Sequence, residues 1–401
     1  MLFLLSSPVL FPLILHFLSL LPPTSARQDR SAPRDIHALS ADHLRYLAEA
    51  DPPEWEGTVE GHLGKLLIPR PVGSKNSTLV QNYISSVFKR LGWHEEQNPF
   101  KSETPIGELD FTNLIYTFDP DAPRKIIIAA HFDSKYFPDY PANQFIGATD
   151  SAAPCSFMLD LAEAMTPLLQ SRRDRLRNGT GILRDGFDEE DAGETTLQLL
   201  FLDGEEAFKD WTNTDSIYGA RHLAHKWSES FLPPTHPLSL SARRFDPTPS
   251  VLSTIDVLVL LDLLGHRSPR IHSYYRETDW LHGLMSSADK RLREAGLVEV
   301  ESGEEGWFSE NRYGPGMIGD DHVPFNQRGV SVLHVISNPF PNVWHSLGDD
   351  ASALSVPAMN RWNKILRVFT AEYLGLAPES SASSGKRIPE DGEARRSADE
   401  L

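Results

Sequence analysis

Four short apolar runs punctuate the sequence, at residues 125–130, 197–202, 255–263 and 330–336. Each run has the length of a strand, is rich in Val, Ile and Leu, and is nearly continuous rather than alternating between apolar and polar residues. Continuous runs of this kind are typical of strands that are buried on both faces. The pattern therefore predicts four central strands.

Helical patterns lie between these runs, over residues 151–169 and 217–227. Because strands alternate with helices, the predicted fold class is α/β, a three-layer sandwich with a mostly parallel sheet covered by helices on both faces. The charged segment 171–196 contains Gly and is predicted to be a surface insertion that does not touch the chemistry. No linker or repeat divides the chain, which predicts one catalytic domain over residues 27–377.

Both ends of the chain differ from this domain. Residues 1–21 carry no charge and are followed by Thr24-Ser25-Ala26, which predicts a signal peptide over residues 1–26 that is cleaved after Ala26. A signal anchor is the alternative, because the positive n-region is missing and the apolar run is long enough to span a bilayer. Residues 378–401 form a polar tail with almost nothing to bury, and we expect it to be disordered.

Several signals place the chain in the secretory pathway. The last four residues, Ala398-Asp399-Glu400-Leu401, resemble the tetrapeptide that retains soluble proteins in the endoplasmic reticulum. Sequons at Asn76 and Asn178 fit a glycosylated lumenal or extracellular chain. We therefore expect the lumen of the endoplasmic reticulum, with secretion as the alternative.

Charge and cysteine content narrow the function further. The chain has 401 residues, a formal net charge of −18 and a pI near 5.3, which argue against nucleic acid as a partner because no basic face is available to displace counterions. The single cysteine, Cys155, cannot form an intramolecular disulfide. The oligomeric state is not encoded in any recognisable pattern, and a monomer is the expectation.

Polar residues follow each of the four apolar runs. They comprise His131-Phe132-Asp133 after the first run, Asp203-Gly204-Glu205-Glu206 after the second, Asp262 near the end of the third, and His334 in the fourth, which leads to Trp344-His345. Further acids and imidazoles are Asp150 and Asp320-Asp321-His322. Since ligands bind beyond the carboxyl ends of strands in open α/β sheets, we expect these groups to meet at one edge.

Carboxylate and imidazole together are the ligands of catalytic zinc sites, which use three protein ligands and keep one position open. Asp150, Glu206 and His345 could supply such a set. Consecutive residues of an extended chain point to different sides, so Glu205 and Glu206 are not both expected to bind one ion. One of them could bind the metal while the other transfers protons.

Each of these residues also has an ordinary structural interpretation. Asp150 could be a helix N-cap, His334 a hydrogen-bonded core histidine, and Glu205-Glu206 a solvated pair in a loop. Asp320-Asp321 could be part of a turn, and Phe340 and Trp344 ordinary core aromatics. The shared location at strand ends favours a metal site over these separate explanations.

The same residues give the sequence a resemblance to the glutaminyl-peptide cyclotransferases, which share a fold with zinc-dependent aminopeptidases. The likeness runs in order from about residue 131 to residue 350 and less clearly back to Arg70. The matching stretches are residues 131–135 (HFDSK), 147–152 (GATDSA), 201–208 (FLDGEEAF), Trp211, 215–223 (DSIYGARHL), 261–265 (LDLLG), 320–325 (DDHVPF) and 338–345 (NPFPNVWH).

The resemblance implies a mixed central sheet flanked by helices and a zinc enzyme that converts N-terminal glutamine of peptides and proteins to pyroglutamate with release of ammonia. It assigns one zinc per chain to Asp150, Glu206 and His345, the acid/base role to Glu205, and support through hydrogen bonds to Asp262 and Asp320, with His334 extending this network. It makes Trp211, Phe340 and Trp344 the walls of the glutamine pocket. Whether N-terminal glutamate is also accepted stays open.

One departure from the family is visible at residue 130. In vertebrate members this position is a cysteine, which forms a disulfide with the cysteine at the position of Cys155. This chain has Ala130 instead. The bridge is therefore absent, which affects only the expected stability. Cys155 is expected to be a buried apolar thiol.

Two other functions stay open. A dizinc aminopeptidase of the same fold would hold a second ion at His131 and Asp262 with Asp150 bridging, and His131 otherwise has a structural role. Trp211 and the Pro-Phe-Pro-x-Val-Trp-His stretch match the cyclase rather than the peptidase pattern. An inactive lumenal peptide-binding protein is the third interpretation, against which the intact Glu205 and metal triad argue.

Overall fold

The computed structural model describes residues 36–50, 61–178, 193–242, 247–300, 306–310 and 316–378. The predicted signal peptide, the cleavage after Ala26 and the C-terminal tetrapeptide lie outside the described residues, as does the predicted tail beyond residue 378. In the part of the chain that is described, no helix is both long enough and apolar enough to cross a membrane.

One sheet and the helices around it make up the described structure. The strands are β1 (His94–Thr104), β2 (Gly107–Thr117), β3 (Arg124–His131), β4 (Thr195–Leu202), β5 (Ile255–Asp262) and β6 (Val332–Ile336). The α-helices are α1 (Ala41–Glu49), α2 (His62–Leu66), α3 (Lys75–Leu91), α4 (Ala153–Arg177), α5 (Tyr218–Glu229), α6 (Pro237–Ser241), α7 (Asp279–Glu294), α8 (Val323–Asn326) and α9 (Val356–Tyr373).

The strand order across the sheet is β1-β2-β4-β3-β5-β6. The pairs of β3 with β4, β3 with β5 and β5 with β6 are parallel, whereas β1 with β2 and β2 with β4 are antiparallel. The four apolar runs form β3, β4, β5 and β6, which confirms the α/β class and the mixed sheet. The hairpin of β1 and β2 was not predicted.

Both faces of the central strands are buried, as their continuous apolar sequences indicate. In β3, Ile126, Ile128 and Ala130 belong to one core cluster, and the alternate residues Ile127 and Ala129 belong to another. The first cluster also contains buried residues of α3, α4, α7 and α9, and the second contains buried residues of α5 and α8. The sheet is therefore the middle layer of three, and its carboxyl edge is rigidly supported from both sides.

The surface insertion predicted at residues 171–196 was wrong at both ends. Helix α4 continues to Arg177, and β4 already begins at Thr195, where the side chains are buried. Arg172 is buried as well, and its guanidinium donates hydrogen bonds to the carbonyl oxygens of Leu374 and Thr195, 2.8 Å away in each case. From its charge alone this arginine would be assigned to the surface. In the structure it joins α4 to the sheet.

Candidate metal centre and active site

The carboxyl ends of β3, β4, β5 and β6 bring the predicted polar residues together. His131 is the last residue of β3, Asp262 is the last residue of β5, and His334 is the central residue of β6. Glu205 and Glu206 follow β4 after a turn at Gly204, whose φ is 77° and where a Cβ would collide with the Phe111 ring. Only glycine lets the chain turn in this way.

Asp150 lies in an irregular turn directly before α4. Its φ and ψ are −122° and 79°, and the N-cap of α4 is Ala152, so Asp150 is not the cap of this helix. The carboxylate instead lies 3.0 Å from His131 Nε2 and 3.5 Å from His345 Nε2. These two rings hold the pKa of Asp150 below its usual value although burial acts to raise it.

Asp150, Glu206 and His345 converge on one point. Each of them offers a ligand atom, and these atoms all lie within 4.8 Å of one another. Glu206 Oε1 is 3.2 Å from His345 Nε2, yet it is buried without a hydrogen-bond partner. Burial acts to lower the pKa of His345, but the carboxylates of Asp150 and Glu206 raise it to about 9.

This donor set fits zinc. Two carboxylates and one imidazole form a catalytic ligand set of the kind zinc takes, and a buried, unpaired carboxylate oxygen is costly unless a cation or a hydrogen-bond donor satisfies it. The three side chains come from separate segments of the chain, namely the turn before α4, the loop after β4 and the loop after β6. The fold therefore assembles the group that the sequence suggested, and its role as a zinc site stays a prediction.

The loop after β4 is held by Asp133. One oxygen of the Asp133 carboxylate accepts hydrogen bonds from the backbone N–H groups of Gly204 and Glu205 at 2.9 and 3.1 Å, and the other accepts from that of Glu206 at 3.3 Å. Burial acts to raise the pKa of Asp133, but His131 and these N–H groups keep it below its usual value. An ionised Asp133 thus fixes the backbone that carries both glutamates.

Glu205 is buried beside the metal group with its carboxyl side chain among other acids. Burial is the main cause of a pKa well above the usual value, and the charges of Asp320, Glu206 and Asp321 add to it, although His131 opposes the shift. A carboxyl group in this environment keeps its proton to a higher pH than an exposed glutamate does.

Among the described residues, Asp262 and Asp320 do not form the expected hydrogen bonds to Glu205. Within the described residues, Asp262 accepts hydrogen bonds from the Ser151 hydroxyl and from the backbone N–H of Leu263. Asp320 pairs with His334, whose Nε2 is 2.7 Å from Asp320 Oδ2. The hydrogen bond between Asp320 and His334 is therefore the part of the expected network that the structure contains, and Asp320 acts on Glu205 through its charge.

A second group of three ligands shares Asp150 with the first. His131, Asp150 and Asp262 also bring their ligand atoms within 4.8 Å of one another. His131 Nε2 lies 3.0 Å from Asp150 Oδ1 and 3.5 Å from Asp262 Oδ1, and His131 Nδ1 lies 3.4 Å from Asp133 Oδ1. These contacts fit a second ion held by His131 as well as an ion-pair network without metal.

The three predicted pocket aromatics lie at the rim of this centre. The rings of Phe340 and Trp344 meet edge to face with centroids 5.1 Å apart, and Trp344 stacks on His345 at 3.9 Å. Trp211 places its indole nitrogen beside Gly319, the residue before Asp320. Trp211 and Trp344 are 48% and 42% exposed, so neither is a core aromatic, and Trp344 presents apolar surface next to His345 of the metal group.

Three positioning contacts were not predicted from the sequence. The Lys135 ammonium donates to Glu206 Oε2 at 3.2 Å, and the Asp349 carboxylate accepts from the backbone N–H of Thr149 at 2.8 Å. Arg70 is fully buried and donates to the carbonyl oxygens of Phe132, Ile146 and Gly147, which joins the segments that follow His131 and precede Asp150. Lys135 and Arg70 lie in or near the matching stretches, but these stretches alone assign them no partner.

Cys155 is buried and free, as expected. Its thiol donates to the carbonyl oxygen of His131 at 3.2 Å, and burial raises its pKa to about 12. The neighbouring Ala130 side chain is fully buried. The thiol therefore packs as an apolar group beneath the site.

Comparison with known proteins places this geometry in a family. Residues 113–370 match the sequence model of Peptidase family M28. The chain is 40% identical over 340 residues to the glutaminyl-peptide cyclotransferase of Bos taurus, covering 84% of this chain and 87% of that protein. It is 39% identical over 344 residues to the glutaminyl-peptide cyclotransferase-like protein of Mus musculus, covering 85% of this chain and 81% of that protein.

A solved structure agrees with the sequence matches. The crystal structure of the glutaminyl cyclase of Macrostomum lignano superimposes with a TM-score of 0.71 at 36% identity, covering 88% of this chain and 99% of that chain. The likeness thus extends over most of this chain and nearly all of that one. This chain belongs to the glutaminyl-peptide cyclotransferases of peptidase family M28.

Proposed function

We propose that this chain is a zinc-dependent glutaminyl-peptide cyclotransferase, an acyltransferase that converts the N-terminal glutamine of peptides and proteins to pyroglutamate and ammonia. The observation that carries the proposal is the convergence of Asp150, Glu206 and His345 directly beside the buried acid Glu205. The family membership supports it, since relatives that are 39% and 40% identical to this chain carry this activity in their names.

The reaction needs little beyond orientation and proton transfer. The α-amine attacks the γ-carboxamide carbon of the same residue, a C–N bond forms, and the bond to the amide nitrogen breaks to release ammonia. Because both reacting groups belong to one residue, holding them in the reactive geometry lowers the barrier by several kcal/mol. When bound, zinc supplies a Lewis acid that stabilises the negative charge developing on the γ-carbonyl oxygen.

Glu205 is the proposed proton carrier. It takes a proton from the α-amine as the new bond forms and gives one to the departing nitrogen, so that the protons balance over the reaction. The raised pKa of its carboxyl group makes Glu205 a better base towards the amine and allows it to return the proton to the departing nitrogen. Asp262, Asp320 and His334 are proposed to set the charge around Glu205, since the carboxylates of Asp262 and Asp320 lie in the same buried cluster.

The rim aromatics are proposed to select the substrate. Trp211, Phe340 and Trp344 offer apolar faces beside the metal group, which suit the uncharged glutamine side chain better than a charged one. Acceptance of N-terminal glutamate would bury the side-chain carboxylate of the substrate next to the carboxyl groups of Glu205, Asp262 and Asp320. This is electrostatically unfavourable. Glutamine is therefore the proposed substrate, and glutamate a much poorer one.

A dizinc aminopeptidase is the second candidate, and the group of His131, Asp150 and Asp262 is the observation that favours it. The two functions differ in metal content and in product. We propose one zinc per chain, because Ser151 and the Leu263 backbone already donate hydrogen bonds to the Asp262 oxygen that faces His131.

The cellular setting is also part of the proposal. We propose a monomer that enters the secretory pathway and is retained in the lumen of the endoplasmic reticulum or secreted. Of the two sequons, Asn178 is exposed at the end of α4, whereas the Asn76 amide donates to the Pro69 carbonyl at 2.7 Å. Asn178 is therefore the proposed glycosylation site, which mass spectrometry of the protein from secreting cells tests.

One assay tests the main proposal. Purified protein with measured metal content is offered a peptide that begins with glutamine, and both loss of ammonia and release of free glutamine are followed. Ammonia loss with about one zinc per chain supports the cyclase. Release of the first residue by protein with two metal ions would establish the peptidase instead, and neither reaction from zinc-loaded protein would favour a binding protein.

A further inference from the structure

Two histidines lie with their rings in contact behind the candidate active site. His322 precedes α8 and His334 is in β6, and the centroids of their rings are 4.2 Å apart with the planes inclined at 40°. Both side chains are buried, since His322 is 0% exposed and His334 is 2% exposed. We call these two residues the imidazole pair. The resemblance assigned a role to His334 but none to His322.

His322 contacts its surroundings through the flat faces and edges of its ring rather than through its nitrogens. Among the described residues, neither ring nitrogen has a hydrogen-bond partner. The ring meets Tyr275 edge to face with centroids 5.6 Å apart, and its other ring contact is His334. Burial, with His334 adding to it, lowers the pKa of His322 to about 3, so the ring is neutral at physiological pH.

His334 is the member of the pair that makes a hydrogen bond. Its Nε2 lies 2.7 Å from Asp320 Oδ2, and the backbone N–H of Asp321 donates to Asp320 Oδ1 at 2.6 Å. A carboxylate accepts only, so the bond requires the proton of the neutral His334 ring to be on Nε2. Rotation of this ring would leave one oxygen of Asp320 buried and unpaired, and it would change the charge that acts on Glu205.

We infer that His322 is a positioning residue, whose neutral ring packs against His334 and fixes the orientation in which Nε2–H of His334 donates to Asp320. The ring of Tyr274, with its centroid 5.6 Å from that of His334, is the other aromatic contact of His334. With both contacts in place His334 has little freedom to rotate, and Asp320 keeps its two hydrogen bonds. The effect on turnover rests on the proposed function, whereas the effect on the His334 ring does not.

A metal ion at the same cluster is the competing explanation. Asp320, His322 and His334 offer ligand atoms within 4.8 Å of one another. An imidazole binds a metal through a nitrogen lone pair that lies in the ring plane, whereas the rings of His322 and His334 contact each other with their centroids 4.2 Å apart and their planes inclined at 40°. The Nε2 atom of His334 is also already engaged with Asp320. Packing therefore explains the geometry better than coordination.

Two substitutions separate these explanations. His322→Phe keeps a flat neutral ring and removes both nitrogens. His322→Leu fills a similar volume with an apolar side chain but has no flat ring. We expect His322→Phe to stay within about threefold of the wild-type kcat, and His322→Leu to lower kcat about tenfold or more with KM nearly unchanged, because a displaced supporting group costs rate rather than substrate affinity. Zinc content is expected to be equal in all three proteins, and thermal denaturation verifies that each is folded.

A second readout does not depend on activity. In metal-free protein with ¹⁵N-labelled histidine, the ring signals of His334 are identified by their absence from His334→Gln. We expect the Nε2–H tautomer in the wild type and in His322→Phe, and an averaged pair of tautomers in His322→Leu. If the wild type lacked cyclase activity, the proposed function would fail while this spectrum would still decide the inference.

Three results would overturn the inference. The first is an unchanged His334 spectrum in folded His322→Leu. The second is loss of the Nε2–H tautomer in His322→Phe, which would mean that the nitrogens of His322 matter. The third is a second zinc in the wild type that both His322 variants lose, which would make the cluster a metal site.

Discussion

Glu205 and Glu206 are neighbours in the sequence, yet their carboxyl groups have different surroundings. Glu206 lies 3.2 Å from both His345 Nε2 and Lys135 Nζ, whereas Glu205 lies among the buried acids and has a raised pKa. Two adjacent carboxyl groups with separate environments are suited to separate roles, one as ligand and the other as proton carrier. The residue pattern predicted this division, and the family resemblance assigned the ligand role to Glu206 and the acid/base role to Glu205.

Replacement of Glu205 by glutamine tests its role as proton carrier. We expect Glu205→Gln to keep its zinc and to lose about 10²- to 10⁴-fold in kcat, because the amide cannot accept a proton. Glu206→Gln is the matched control, and it is expected to lose zinc as well as activity. Metal analysis and steady-state kinetics on both variants make the comparison, and near-normal turnover by Glu205→Gln would exclude Glu205 as the carrier.

Asp349 provides a pH-dependent test of the turn that carries Asp150. Burial, followed by the charge of Asp150, raises the pKa of Asp349 to about 7 from an ordinary value of 3.8. A carboxyl group whose pKa is raised on folding stabilises the folded state below its unfolded pKa, and this contribution is lost as the pH rises through the folded pKa. Asp349 therefore favours the metal-free folded protein at pH 4 and disfavours it, relative to a neutral side chain, above pH 7.

Asp349→Asn removes this titration. We expect the unfolding free energy of the wild type, minus that of Asp349→Asn, to fall between pH 4 and pH 8, by on the order of 4 kcal/mol at about 1.4 kcal/mol per pKa unit. Denaturant unfolding in the presence of a chelator measures it. Asp110→Asn, which changes an exposed carboxyl group in β2, should show little change with pH. A constant difference for Asp349→Asn would contradict the assigned titration.

At the scale of elements, the loop after β4 depends on a single side chain from the loop after β3. Asp133 accepts hydrogen bonds from three consecutive backbone N–H groups, and both glutamates belong to that stretch. In Asp133→Asn, an NH₂ group would replace one acceptor and leave a buried N–H without a partner. We expect a loss of about 1–3 kcal/mol in stability together with weaker zinc binding.

Thermal or denaturant unfolding and zinc titration test the Asp133 prediction. Asp210→Asn in the exposed part of the same loop is the control, and it should leave both quantities close to those of the wild type. Zinc affinity that is unaffected in folded Asp133→Asn would show that the loop holds its shape without this anchor.

The central strands could be predicted from the sequence, whereas the hairpin could not. Strands β3 to β6 are buried on both faces and therefore carry continuous apolar residues. Strand β1 lies at the edge of the sheet, is mostly exposed and contains Pro99, so it has no apolar pattern by which to recognise it. Its pairing with β2 is fixed mainly by backbone hydrogen bonds and by contacts such as the stacked rings of Phe100 and Phe111.

The site was predictable to the extent that strand ends determine it. His131, Asp262 and His334 were located from the ends of apolar runs, and Glu205 and Glu206 from the residues that follow one. Arg70, Asp349 and His322 act through partners that lie in other loops and strands. Thr149 and Asp349, for example, are 200 residues apart in the sequence. No local pattern encodes these contacts, because they depend on how the loops pack after the sheet has formed.

At the scale of the whole molecule, the carboxyl edge of the sheet collects more negative charge than the protein itself neutralises. Asp133, Asp150, Glu206, Asp262 and Asp320 are all buried there, and repulsion among them contributes to the raised pKa of Asp262, which is about 6. Arg70, Lys135 and His345, whose pKa is raised to about 9, are the nearby cations described above, and Arg70 is engaged with carbonyl oxygens. A bound divalent cation would neutralise the negative charge that remains at this edge.

The last prediction follows from this imbalance. A cation that binds the folded chain and not the unfolded one stabilises the fold by RT ln(1 + [L]/Kd), about 4 kcal/mol at a free concentration one thousand times the Kd. For a chain of this size such a change corresponds to roughly 5–10 °C in melting temperature. We therefore expect chelation to lower the melting temperature by this amount and zinc to restore it, while magnesium does not, because it is a poor match for an imidazole-containing set. Asp150→Asn and Glu206→Gln, which each remove one charge from the triad, should melt alike with and without chelator. If the wild type lost its metal without any change in melting temperature, the carboxyl edge would be stable on its own, and the three converging side chains would have to be held by contacts other than a cation.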